Sequence, residues 1–130
     1  MTRRTRPAAR PEIVRAVVLD AALIVVFVLV GRASHGEDLA PSAVLATAWP
    51  FLAGGLVGWI VARAWRGPSR VVPTGLLVWG VTLVVGVVLR ALSGEGVVVP
   101  FVITTAIILA VLLLGWRAVA ALVVRRRARA

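Results

Sequence analysis

Charged residues divide this chain into four apolar runs, and no other feature restricts its fold so tightly. Between Asp38 and Arg63 lie 24 uncharged residues, between Arg70 and Arg90 lie 19, and between Glu95 and Arg117 lie 21. A bilayer hydrocarbon core about 30 Å thick is crossed by roughly 20 apolar residues in helix. Each of these runs therefore predicts one crossing. The first run is shorter, with 11 uncharged residues between Asp20 and Arg32, or about 16 Å of helix. A crossing there must begin near Val14 and carry Asp20 into the membrane. The predicted spans are 14–31, 41–62, 71–89 and 97–117, in a transmembrane domain of 14–120. Basic segments at 1–13 and 121–130 flank it.

Composition agrees. The 130 residues are 61% hydrophobic and only 15% charged, with a mean hydropathy of +1.02. Soluble domains carry about a quarter charged residues, and a chain this short cannot hide so much apolar surface in one core. A net charge of +10 can mark nucleic-acid binding. Here, however, the charge sits in clusters that punctuate apolar runs, so no nucleic-acid partner is expected. All fifteen basic residues are Arg, which with the abundant Ala, Val and Gly reads as the codon bias of a GC-rich bacterial genome. Without Cys, and with one His and five carboxylates, neither a metal nor a cofactor is expected.

Orientation follows from counting Arg. Arg3, Arg4, Arg6, Arg10 and Arg15 precede the first span; Arg63, Arg66 and Arg70 lie in the middle loop; Arg117, Arg125, Arg126, Arg127 and Arg129 follow the last. Only Arg32 and Arg90 flank the opposite ends. Positive loops stay in the cytoplasm, so both termini are expected inside, in a multi-pass plasma-membrane protein. The basic start MTRRTRPAAR also fits a signal peptide. No small-x-small cleavage site follows its apolar run, however, and an uncleaved span is expected.

The segments GRASHGE (31–37) and LRALSGE (89–95) share R-A-x-x-G-E, with Arg32, Ala33, Gly36 and Glu37 recurring as Arg90, Ala91, Gly94 and Glu95. Gly58-Trp59 and Gly115-Trp116 recur at nearly the same offset. The expected fold is therefore all-α: four transmembrane helices as two tandem parallel hairpins, related by an axis along the membrane normal. In each turn, Arg can reach lipid phosphates while its stem covers apolar surface. Gly36 and Gly94 can end a helix in the left-handed conformation, and Glu37 and Glu95 can pair with Arg across the two turns. The functional alternative is an external polar patch of Arg32, His35, Glu37, Asp38, Arg90 and Glu95, able to bind an anion or to sense pH through His35.

At GRASHGE, then LATAWPFLAGGLVGW (45–59), RAWR (63–66) and RALSG (90–94), the chain resembles the small four-helix bacterial membrane proteins grouped as domain of unknown function 3054. The likeness runs from about Arg15 to Trp116. It implies a four-span membrane protein and brings no assigned activity.

Asp20 is the foremost candidate for chemistry, because a carboxylate within the membrane costs several kcal/mol unless partnered. It lies about 18 Å of helix from Arg32. Either it takes hydrogen bonds from neighbours at similar depth, with Trp79 and Thr82 as suitable donors, or it couples a proton or cation to transport. Arg15, five residues back, is poorly placed to pair with it. A stripe of Ala46, Pro50, Gly54, Gly58 and Ala62 reads as helix packing with a G-x-x-x-G. Pro50 after Trp49 should bend the second helix and can open a pocket beside Trp49. Trp59, Trp65 and Trp116 read as an aromatic belt at the inner interface.

No nucleophile elbow, phosphate loop or metal-ligand spacing occurs, so no enzyme is expected. Two readings of function remain. The first is a small transporter or channel-like protein acting as an oligomer, with association through the Gly54/Gly58 stripe. The second is a non-catalytic accessory or scaffold subunit, held by that same stripe to another membrane protein.

Overall fold

A computed structural model describes residues 8–129. Arg3, Arg4 and Arg6 of the basic N-terminal segment lie outside the described residues. The chain forms four long helices, α1 (Arg10–Ser34), α2 (Pro41–Ala62), α3 (Leu76–Leu92) and α4 (Val99–Arg129), and the described residues include no strand. Each helix is apolar enough to cross a membrane, and so is each in length once the Val71–Gly75 lead-in is counted with α3. These are the elements of a multi-pass membrane protein.

Proline sets several helix starts. Pro11, Pro41 and Pro100 stand in the first turns of α1, α2 and α4, where the missing N–H costs no hydrogen bond. Pro73 acts on the residue before it. Val72 is held extended (φ −122°, ψ 130°), as a residue preceding proline prefers. Consequently regular α3 starts at Leu76, five residues later than the predicted 71, after a wide turn over Val71–Gly75. The turns after α1 and α3 close through Gly36 (φ 66°) and Gly94 (φ 85°), left-handed positions that suit glycine.

Other helix ends also depart from the predicted spans: α1 ends at Ser34, α3 ends at Leu92 and α4 starts at Val99. α1 begins at Arg10 rather than 14. α4 runs 31 residues, about 46 Å, through the segment expected as a separate tail at 121–130. Residues 116–129 contain no Gly or Pro to stop a helix, and Ala, Leu and Arg propagate one well.

The helices close into a ring: each packs on its neighbour in sequence, and α1 meets α4. The α2–α3 pair is the most intimate. Val78, Thr82 and Gly86 form a buried line on α3 at four-residue spacing, and α2 meets it with Gly54 and Gly58. A Cβ at Gly54 would stand 2.8 Å from the Thr82 carbonyl oxygen, and one at Gly58 would stand 3.1 Å from that of Val78. Side chains are excluded there, and the backbones touch. Ala62 continues the stripe, partly buried against the core. The stripe is thus filled within the chain, which corrects the expectation that it faces a second copy or another protein. α2 passes through the buried Pro50 as one continuous helix. Leu45, Leu56, Ile60, Val84 and Ile107 point outward and are exposed, as lipid-facing side chains are.

Candidate functional site

Asp20 is 3% exposed, and its carboxylate is held from three directions. Arg117 approaches it fork to fork, Nη2 to Oδ2 at 2.6 Å and Nη1 to Oδ1 at 3.0 Å. The Trp59 indole N–H donates to Oδ2 and the Trp116 indole N–H to Oδ1, each at 2.8 Å. A carboxylate offers about four lone-pair sites, and four donors fill them. Arg117 is equally committed. Its Nε donates to the Pro68 carbonyl at 2.9 Å, its Nη1 also to the Leu113 carbonyl at 2.8 Å, and its guanidinium lies 4.5 Å from the Trp116 ring centroid. This clamp ties α1, α2, α4 and the α2–α3 loop together at one end of the bundle.

Several sequence expectations change here. Trp79 and Thr82 are not the donors to Asp20. Trp79 donates to the Ala106 carbonyl of α4 at 3.0 Å, and the Thr82 hydroxyl is buried without a hydrogen-bond partner among the described residues. Trp59 and Trp116, read as belt residues, turn inward because a buried carboxylate needs donors that bring no second charge. Trp65, 43% exposed, stays on the surface. Arg117, counted among the flanking charges, is fully buried. The sequence carried one signal for the two donors: the Gly-Trp pairs recur at matching places, and the two indoles end on opposite oxygens of one carboxylate. Arg117 carried no such mark, since its charge matched the topological pattern of its neighbours.

The opposite end of the bundle opens into a cavity of about 620 Å³. The external-patch residues Arg32, His35, Glu37, Arg90 and Glu95 all line it. Asp38 does not; its carboxylate accepts the Ala40 N–H at 2.9 Å, fixing the start of α2. The rest of the lining combines the apolar Val30, Phe101 and Ile108 with Thr47, Thr104 and Thr105. Phe27 and Phe51 close the bottom in an edge-to-face pair with centroids 5.4 Å apart; Phe51 is wholly covered. Trp49 is 42% exposed and does not line this cavity.

The two rim arginines differ. Arg32 pairs with Glu37 at 3.1 Å within one turn, and its Nη1 donates to the Thr47 hydroxyl at 2.8 Å. The expected pairing across the two turns is absent among the described residues. Arg90 sits 4.4 Å over the Phe101 ring. Both side chains share one contact: Arg32 Nε donates to the Asp38 carbonyl at 2.7 Å and Arg90 Nε to the Gly96 carbonyl at 3.2 Å, each six residues ahead. No group of three or more His, Cys, Asp or Glu side chains fit to hold a metal occurs among the described residues.

No curated protein and no solved structure matches the chain. The family model described as a protein of unknown function (DUF3054) matches residues 17–120. The chain belongs to that family.

Proposed function

We propose that this DUF3054-family protein is a small plasma-membrane transporter, not an enzyme, whose solute enters from outside through the rim of Arg32 and Arg90. Both termini lie in the cytoplasm, and the helices form two tandem parallel hairpins from an internal duplication. The Arg distribution supports the orientation, and the matching Arg32 and Arg90 contacts support the repeat. The observation that carries the transport reading is one-sidedness. A cavity within the size range of small-molecule sites is open at one end of the bundle, while the Asp20–Arg117–Trp59–Trp116 clamp closes the other.

In this reading Asp20 is the inner closure and not a site awaiting a coupling ion, because every lone-pair site already has a donor. Passage requires the clamp to part. The accessory-subunit reading drew on small size, minimal loops and the Gly54/Gly58 stripe, and α3 occupies the stripe. Any homo-oligomer must use another face of the bundle.

The test is uptake by proteoliposomes of a panel of radiolabelled organic acids, amines and neutral solutes. Saturable counterflow of at least one class is expected, lost in a Thr104→Trp variant that fills the cavity. Uptake equal to protein-free vesicles across the panel, by protein that melts normally, would count against transport.

A further inference from the structure

The rim of the cavity holds two arginines, and Arg90 has more nitrogens without a described partner: both terminal ones, against Nη2 alone on Arg32. Arg32 is committed to Glu37, Thr47 and the Asp38 carbonyl. Arg90 uses Nε alone, on the Gly96 carbonyl; neither of its terminal nitrogens bonds to a described residue, and no described carboxylate pairs with it. Its guanidinium is partly buried and lies over Phe101 inside the lined volume. Glu95 lines the cavity from the exposed turn without pairing with Arg90, while Glu37 is spent on Arg32. A half-desolvated guanidinium with open donors favours an oxyanion, which it can grip with two parallel hydrogen bonds. Phe101, Ile108 and Val30 give the lining its apolar part, beside the threonines Thr104 and Thr105.

We propose that the cavity takes an amphipathic oxyanion, a single carboxylate or phosphate head with an aromatic or aliphatic tail. The head sits on the terminal nitrogens of Arg90, and the tail lies along Phe101, Ile108 and Val30. Arg90 selects for charge, and the apolar wall selects for the tail. A small hydrophilic anion leaves the wall unused, and a neutral amphiphile leaves the guanidinium without a partner. This identifies the substrate class of the transporter reading and rests on that reading's assignment of the cavity as the solute chamber.

The experiment uses the full chain in phosphatidylcholine nanodiscs, with dansyl-aminoundecanoate and its methyl ester as probes. The acid should bind at least tenfold tighter than the ester. Arg90→Gln should cut that preference below threefold, Arg90→Lys should retain part of it, and Thr104→Trp should lose both probes. Equal binding of acid and ester to the native protein, or a preference that survives Arg90→Gln, would overturn the assignment. Native mass spectrometry of protein extracted gently from its own membrane separates the sources. A co-purified anionic phospholipid that Arg90→Gln loses makes the head a lipid phosphate; acid binding with no such lipid makes it a soluble acid. Binding without flux would remove the transporter reading and leave this site. Saturable flux of a cation or neutral solute, with no preference for the acid, would do the reverse.

Discussion

Asp20 and Arg117 stand 97 residues apart in the chain and meet through two parallel hydrogen bonds, at 2.6 and 3.0 Å, in a position where neither is open to its surroundings. Both charges are fully satisfied only together. Cutting one partner from a buried pair leaves a charge with no compensation, and this typically costs about 3–5 kcal/mol. Asp20→Asn and Arg117→Gln should each lower stability by that order, read from thermal melting in one detergent. The Asp20→Leu/Arg117→Met double variant should lose clearly less than its own two single variants, Asp20→Leu and Arg117→Met, summed. Simple additivity would show that the pair is not energetically coupled.

Trp59 and Trp116 should be equivalent in this clamp. Each gives one hydrogen bond to the carboxylate, and a bond to a charged group contributes about 1.5–3 kcal/mol. Trp59→Phe and Trp116→Phe should therefore destabilise to a similar extent. Trp79→Phe, which removes a bond to the neutral Ala106 carbonyl, should cost less, about 0.5–1.5 kcal/mol. Melting curves of the three variants in the same detergent decide it; a Trp79 variant as damaged as the others contradicts the assignment.

The α2–α3 contact leaves no space for a methyl group at Gly54. Gly54→Ala should force the helices apart and cost about 1–3 kcal/mol, as overpacking does. Gly80→Ala is the control: nothing lies within 4 Å of its added Cβ, and alanine favours helix by up to about 1 kcal/mol. It should be neutral or stabilising. If light scattering shows that Gly54→Ala changes only the oligomeric state and not the melting temperature, the stripe serves an external interface after all.

The chain has no cysteine, so single cysteines report topology cleanly. Ser34, Ser93 and Ser69 are all exposed. In intact cells a membrane-impermeant maleimide should label Ser34→Cys and Ser93→Cys at once, and Ser69→Cys only after permeabilisation. The opposite pattern would invert the proposed orientation and turn the cavity toward the cytoplasm.

The sequence by itself determined the four apolar helices, because a span has a minimum length, which three runs meet without interruption and the first meets once Asp20 is carried inside. It also determined the turns, where R-A-x-x-G-E places glycine at the left-handed position each time. The rim of the cavity was legible for the same reason: Arg32, His35, Glu37, Arg90 and Glu95 were all singled out by their place in those turns, and local sequence set that place. Partnership was not legible. Asp20 announced itself by the cost of its charge, but which side chains answer that cost depends on helix rotation and on the reach of a long side chain. In an almost uniformly apolar helix, periodicity leaves rotation unmarked. Trp79 and Thr82 therefore looked like suitable donors, Trp59 and Trp116 passed for belt residues, and Arg117 for a flanking charge. Likewise the Gly54/Gly58 stripe declared that a backbone comes close, but not whose. Only the tertiary structure decided these questions, because α3 filling the stripe and Arg117 reaching Asp20 both follow from how the four helices turn toward one another.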